Sequence, residues 1–355
     1  MSRFVGLLAL LFPLRLAPLV MNVIALAGQI LPVNLILSSR FKEVPWLFRV
    51  AGSLLYLGIP NSIEIHANTT NLQWHLALLG CGILLAKAAT GRVAMCSGLL
   101  VLFLVSVDSP LVFVLLPVAA AVWWKRRELA AKWNCAALVP GAIIQLLTVA
   151  FSRTHGRIPT ETGSSLQRLT GILGGQIFLP SVVGIRSVAR LYLFSDRHAL
   201  FVAESMATIA AAALLLYSLR TARFEVKLFV LFAMGVLALA LSHPIAGPDP
   251  SFPQWEYLQI PGRSSRYFFF PILAFYISLL SLANGGSSVP AKTVRVLAIG
   301  ILLLVPIGLY RDWQYPRFAD LHFQSYAAAF ERAESGSTFT IPINPVGWEM
   351  KLQKH

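Results

Sequence analysis

The chain has 355 residues, 57% of them apolar or aromatic and 12% charged, with 29 Lys and Arg against 15 Asp and Glu. A soluble domain carries about a quarter charged residues, so this composition excludes an ordinary soluble enzyme. The net charge of +14 does not point to nucleic acid, because the basic residues sit in short loops between apolar stretches, where they orient a membrane protein and meet anionic lipid.

A bilayer core is crossed by about 20 apolar residues in a helix. The sequence predicts an all-α polytopic membrane protein with about ten transmembrane or half-spanning helices. They fall near Ala17 to Leu37, Trp46 to Ile59, Leu72 to Ala86, Val93 to Val107 and Leu111 to Trp124. The second five fall near Asn134 to Phe151, Ala199 to Leu219, Leu228 to Leu241, Tyr267 to Ala283 and Val294 to Tyr310. Residues 1–310 form the membrane domain, with 152–198 as an outer interfacial segment, and 311–355 form an extracytoplasmic tail. Counting loops alternately puts 14 of the 29 Lys and Arg on one side, including Arg40, Lys87, Arg126 and Arg223. Their density there is about three times that elsewhere, which marks this side as cytoplasmic.

That assignment places the N-terminus outside, against the charge of Arg3 and Arg15. The conflict resolves in one of two ways. Upstream helices precede this segment, the preferred reading, or Phe4 to Leu14 crosses as an extra short piece.

Cys81, Cys96 and Cys135 show neither paired spacing nor histidine neighbours, so neither a disulfide framework nor a metal site is expected, and no cofactor is implied. The densest polar cluster before the tail is the first outer loop, PNSIEIHANTTNLQWHLALL from Pro60 to Leu79. Glu64 suits a general base, and His66, two residues on, can share or orient its proton in extended chain. Helix caps and interfacial packing account for the same residues without chemistry. At the next outer turn, Asp108 is either a helix cap, the preferred reading, or an acid facing the same surface.

The segment 152–198 carries Arg153, Arg157, Arg168, Arg186, Arg190 and Arg197, a basic excess on the outer side. From Ser181, SVVGIRSVARLYLF places Arg186 and Arg190 four apart on a helix expected to lie in the interface, facing either plain anionic headgroups or a lipid-linked phosphate. In PGRSSRYFFFPILAFY, Arg263 and Arg266 stand directly outside an aromatic membrane entrance, suited to a headgroup with a long apolar tail or to simple anchoring. Charge is nearly absent from the middle of the spans. Glu204 sits within reach of the outer end, while Asn22 and Gln29 share a face suited to bonding neighbouring helices. The tail predicts a helix over Pro316 to Glu334, then a strand, a Pro-Gly turn and a second strand. At this size it is expected to dock as a small cap on the outer face.

These stretches, with VSVDSPLVFVLLP and the closing IPINPVGWEMKL, resemble uncharacterised bacterial inner-membrane proteins similar to the GT-C superfamily of polyprenyl-phosphate-dependent glycosyltransferases. The resemblance implies many helices, interfacial helices, an outer-face site and a catalytic carboxylate in the first extracytoplasmic loop. No such loop opens this sequence, which leaves Glu64 as the best carboxylate and puts truncation upstream. On that reading the protein resides in the bacterial inner membrane and handles a polyprenyl-phosphate-linked sugar, with Glu64 and His66 catalytic and Arg186, Arg190, Arg263 and Arg266 binding the substrate. Two rival readings remain: a non-catalytic component or transporter of envelope lipid or polysaccharide, and a polysaccharide polymerase or ligase.

Overall fold

The computed structural model describes residues 2–152, 161–244, 252–285, 288–315 and 317–354. Arg153, His155, Arg157 and Pro316 lie outside the described residues. The protein is a helical, multi-pass membrane protein. Its first eight helices are α1 (Ser2–Ala9), α2 (Ala17–Leu37), α3 (Trp46–Leu57), α4 (Leu72–Leu85), α5 (Arg92–Asp108), α6 (Val112–Arg126), α7 (Leu129–Ser152) and α8 (Leu166–Ile172). The others are α9 (Leu179–Val183), α10 (Ile185–Phe194), α11 (Arg197–Thr221), α12 (Phe224–Ser242), α13 (Gln254–Gln259), α14 (Phe269–Ala283), α15 (Val289–Asp312) and α16 (Phe323–Arg332). Among the described residues, six helical segments are long and apolar enough to cross a membrane: Leu14–Leu37, Leu129–Phe151, Arg197–Thr221, Phe224–Ser242, Ser265–Ala283 and Val289–Asp312.

Two central helices organise the rest. All of α4 is buried except Gln73 and Gly82, and α14 is enclosed over most of its length, with Phe269, Phe270, Ile272, Tyr276 and Leu279 at its core. Their lack of a polar face follows directly from sequence, since a helix apolar all round must be surrounded. By contrast α7 and α15 keep most of their surface outward, each only 17% buried over its most apolar window, as suits helices facing lipid.

Loops at one end of the bundle meet through basic residues. Arg40 donates to the Lys87 and Ile83 carbonyls at 2.7 and 3.2 Å, and Arg126 donates to those of Ala86 and Leu85 at 2.7 and 2.6 Å. These carbonyls lie at and just beyond the C-terminus of α4, so the guanidiniums satisfy groups left unpaired by the helix end and offset its negative dipole. The opposite end holds the Pro60 loop, α13, and the start of the tail.

Within the stretch 152–198, residues 166–183 are described throughout. They form one helical run, α8 continuing through a π turn at Leu173–Phe178 into α9, and Gly171 to Phe178 contains buried positions at Gly171, Ile172, Gly174, Gly175, Gln176, Ile177 and Phe178. Small residues permit this. A Cβ on Gly174 would stand 2.5 Å from the Glu204 carbonyl, so α11 packs there backbone against backbone. The amphipathic helix begins at Ile185 rather than Ser181, because the chain breaks at Gly184 (φ +83°), where a Cβ would lie 2.6 Å from both Asp312 Oδ1 and the Gly308 carbonyl.

Other boundaries also moved. The N-terminal stretch yields only the eight-residue α1, about 12 Å long and too short to cross. Asp108 is the last residue of α5, and Ser109 Oγ accepts the Leu111 N–H at 3.3 Å just before α6. The tail helix spans ten residues from Phe323, after His322 in the left-handed region, rather than starting at Pro316. Strands β1 (Thr338–Ile343) and β2 (Trp348–Gln353) form an antiparallel pair, with Ile341 opposite Met350. The tail docks on the Leu14–Leu16 turn, where Glu331 Oε1 accepts the Arg15 N–H at 3.3 Å.

Candidate functional site

The Pro60 loop is shaped by its asparagines. Asn68 and Asn71 both donate to the Glu64 carbonyl, at 2.9 and 2.6 Å, closing residues 64–71 into a compact turn. Asn61, held at φ +52°, anchors the other end: its N–H bonds Asp312 Oδ2 at 3.3 Å, and its Nδ2 reaches the Gln176 carbonyl and Oε1, both at 3.1 Å. Asparagine tolerates that left-handed backbone better than most residues.

Glu64 and Arg266 meet. Arg266 Nη1 donates to Glu64 Oε2 at 2.8 Å, and Ser265 Oγ accepts the Glu64 N–H at 3.3 Å. The pair is about three-tenths exposed on each side, so solvent reaches both groups. The Arg266 guanidinium also lies 4.8 Å from the Tyr267 ring centroid, within cation–π range. Arg263, three residues earlier, is exposed, and its guanidinium turns to Tyr257, 3.2 Å from the hydroxyl. It therefore flanks the ion pair from a separate aromatic platform.

His66 points away from that carboxylate. Its ring stacks on His75 with centroids 5.6 Å apart and contacts Trp313 at 5.8 Å. Gln29 Nε2 donates to His66 Nδ1 at 2.7 Å while Gln29 Oε1 accepts the Ala67 N–H at 3.2 Å, which leaves the imidazole proton on Nε2. Among the described residues that Nε2 is buried without a partner. Burial, helped by the neighbouring His75, pulls the His66 pKa down to about 3, so the ring is neutral at physiological pH. Below it, Tyr56 Oη donates to the Gln29 carbonyl at 2.7 Å and stands 2.8 Å from His75 Nδ1.

Arg186 and Arg190 are unequally placed. Arg186 lies over the Tyr315 ring at 5.8 Å, and Tyr315 meets Trp313, so an aromatic ladder leads from Arg186 to His66. Arg190 is exposed, one helical turn away. The first turn of α10 is held by Asp312, whose Oδ2 accepts the Ile185 N–H at 2.8 Å and whose Oδ1 accepts the Arg186 N–H at 3.1 Å. A carboxylate at a helix N-terminus satisfies orphan donors and offsets the positive dipole end.

Two supporting residues were not anticipated: Gln176 and Asp312. Gln176 Nε2 donates to the Leu258 and Ile260 carbonyls at 2.7 and 2.5 Å, and its Oε1 accepts the Gly262 N–H at 3.3 Å, tying the Arg263 loop to the buried helix. The signal was a lone amide inside the apolar run GILGGQIF, since an amide in such a setting must find partners. Among the described residues, no group of three or more His, Cys, Asp or Glu side chains could hold a metal ion. No family model, curated protein or solved structure matches the chain.

Proposed function

We propose that the protein is a GT-C-like membrane glycosyltransferase, or a degenerate relative, that handles a polyprenyl-phosphate-linked sugar at the end carrying the Pro60 loop. On this reading the ten apolar helices cross or half-cross the bacterial inner membrane, the basic end faces the cytoplasm, and the tail caps the extracytoplasmic face. The observation that carries it is the partly exposed Glu64–Arg266 ion pair beside the aromatic stretch Tyr267 to Phe270. Sugar transfer needs a carboxylate near the acceptor and fixed positive charge near the leaving phosphate.

The pair suggests an order of events. A substrate phosphate competes with Glu64 for Arg266, since guanidinium binds phosphate oxygens bidentately. Glu64 is then free to take the proton of an acceptor hydroxyl as that oxygen bonds the anomeric carbon. The bond to the phosphate oxygen breaks, and the phosphate leaves with the electron pair, stabilised by Arg266, with Arg263, Arg186 and Arg190 extending the positive surface. His66, turned inward, serves better as a ligand donor through its unpartnered Nε2 than as the base.

One observation favours the non-catalytic lipid-handling alternative. Asp312 is spent on the N-terminus of α10 and Glu204 on the Tyr192 hydroxyl, so neither of these two buried carboxylates is free to assist Glu64. Purified full-length chain, given polyprenyl-phosphate-linked sugar and a hydroxyl acceptor, should release polyprenyl phosphate, and Glu64→Gln should abolish release while retaining binding. Binding without release in the unaltered protein would establish the alternative.

A further inference from the structure

A cavity of about 480 Å³ opens at the basic end of the bundle, remote from the ion pair described above. Its wall is apolar, with Leu35, Leu78, Phe229, Leu273 and Ile277 among the lining residues, and it reaches inward to Tyr56 and Tyr276. From Asn284 at its mouth to Tyr276 is eight residues of helix, about 12 Å. That is close to the depth of one leaflet, half of a hydrocarbon core of about 30 Å.

The mouth carries five basic side chains, Arg40, Arg49, Lys87, Arg126 and Arg223, and two acidic ones, Glu43 and Glu225. Glu43 is taken by Lys87 at 2.5 Å and Glu225 by Arg126 at 3.0 Å. Among the described residues, Arg40, Arg49 and Arg223 have no carboxylate within ion-pair distance. Arg49 Nε is in addition buried without a hydrogen-bond partner. Burial, with the nearby positive Arg126, lowers the Arg40 pKa.

We propose that this cavity is a binding site for a phosphate-headed anionic lipid drawn from the leaflet at the basic end, its chain filling the apolar chamber and its phosphate bridging Arg49, Arg40 and Arg223. Three guanidiniums around one mouth suit a phosphate, whose several oxygens accept from more than one of them. The apolar chamber selects a lipid over a soluble anion, because an apolar void in close-packed protein is stabilised by a chain that restores the missing contacts. The site is independent of the sugar-transfer reading.

The test uses full-length protein in nanodiscs and two acyl-labelled probes, phosphatidylglycerol and zwitterionic phosphatidylcholine. Phosphatidylglycerol should bind at least about fivefold tighter, the preference expected of one uncompensated basic group near a headgroup. Arg223→Ala should remove about that factor for phosphatidylglycerol and less for phosphatidylcholine, whose choline already offsets the phosphate charge; the side-chain bond of Arg223 to the Glu43 carbonyl is a long one, 3.4 Å, so the fold survives its loss. Gly52→Leu, built where a Cβ meets only Leu280 Cδ1 at 3.6 Å, should fill the chamber and weaken both probes, while Arg295→Ala, elsewhere on the same end, should change neither. Equal affinity for the two probes, an Arg223→Ala protein indistinguishable from the unaltered one, or displacement of the lipid by glycerol 3-phosphate at matching affinity would each overturn the proposal.

Discussion

Asp312, the last residue of α15, holds the first two backbone N–H groups of α10 through its two carboxylate oxygens, and the same Oδ2 takes the N–H of Asn61. One buried side chain thus fixes the amphipathic helix and the Pro60 loop to each other. Replacing it by alanine leaves three donors without their acceptor, while asparagine keeps an oxygen and loses the charge. Asp312→Ala should cost about 1–2 kcal/mol, the upper range for a lost N-cap, and Asp312→Asn less. Hydrogen exchange at Ile185 and Arg186 is the direct reading; unchanged protection in the alanine variant would remove Asp312 from this role.

Arg266 and Arg220 make a second comparison. Both are arginines at a helix end, but only Arg266 faces Glu64. Arg266→Ala should weaken binding of a polyprenyl-phosphate analogue by about tenfold or more, as expected for a charge-assisted hydrogen bond, with little effect from Arg220→Ala. Equal losses would reduce Arg266 to an anchor. Because the pair is about three-tenths exposed, its contribution to stability itself should stay below about 1 kcal/mol.

His66 gives the protein a pH dependence of defined sign. Unfolded, the imidazole takes up a proton as pH falls through about 6.5, whereas the folded ring stays neutral down to about 3. Over that window the unfolded chain binds more protons, so this contribution is fully present above pH 6.5 and is lost progressively as pH falls toward 3. The thermal midpoint in detergent should drop between pH 7.5 and 5.5, and His66→Gln should flatten that slope. An unaltered slope would assign the effect elsewhere.

Orientation is open to direct labelling. A cysteine at Ser337, just before β1, should react with an impermeant reagent applied outside intact cells. Reaction only after permeabilisation would reverse the assignment of both ends.

How much of this was legible in the sequence depended on the kind of signal. The apolar helices were, because twenty-residue hydropathy is a local property: α2 starts and stops at Ala17 and Leu37, as read from sequence. The run from Leu166 to Val183 was not, because its glycines, Gln176 and Pro180 break the apolar pattern, although glycines are what let it pack against α11. The proximity of Glu64 to Arg266 is carried by no spacing, since 202 residues separate them, and rests only on loops alternating between two ends. The inward turn of His66 was beyond reach for another reason. Which way a loop side chain faces is decided by tertiary partners, here Gln29, His75 and Trp313.

The enclosure of α4 bears on how the protein meets membranes of different thickness. A bilayer that thins or thickens acts on whatever touches its acyl chains, and helices answer by tilting. Here the touching is done by the largely outward α7 and α15, whereas α4 is buried except at Gln73 and Gly82, with Leu78 on the wall of the lipid chamber rather than on the perimeter. The Pro60 loop is joined directly to that sheltered helix, so hydrophobic mismatch should rock the perimeter and leave the spacing between Glu64 and Arg266 nearly constant from one bilayer to another.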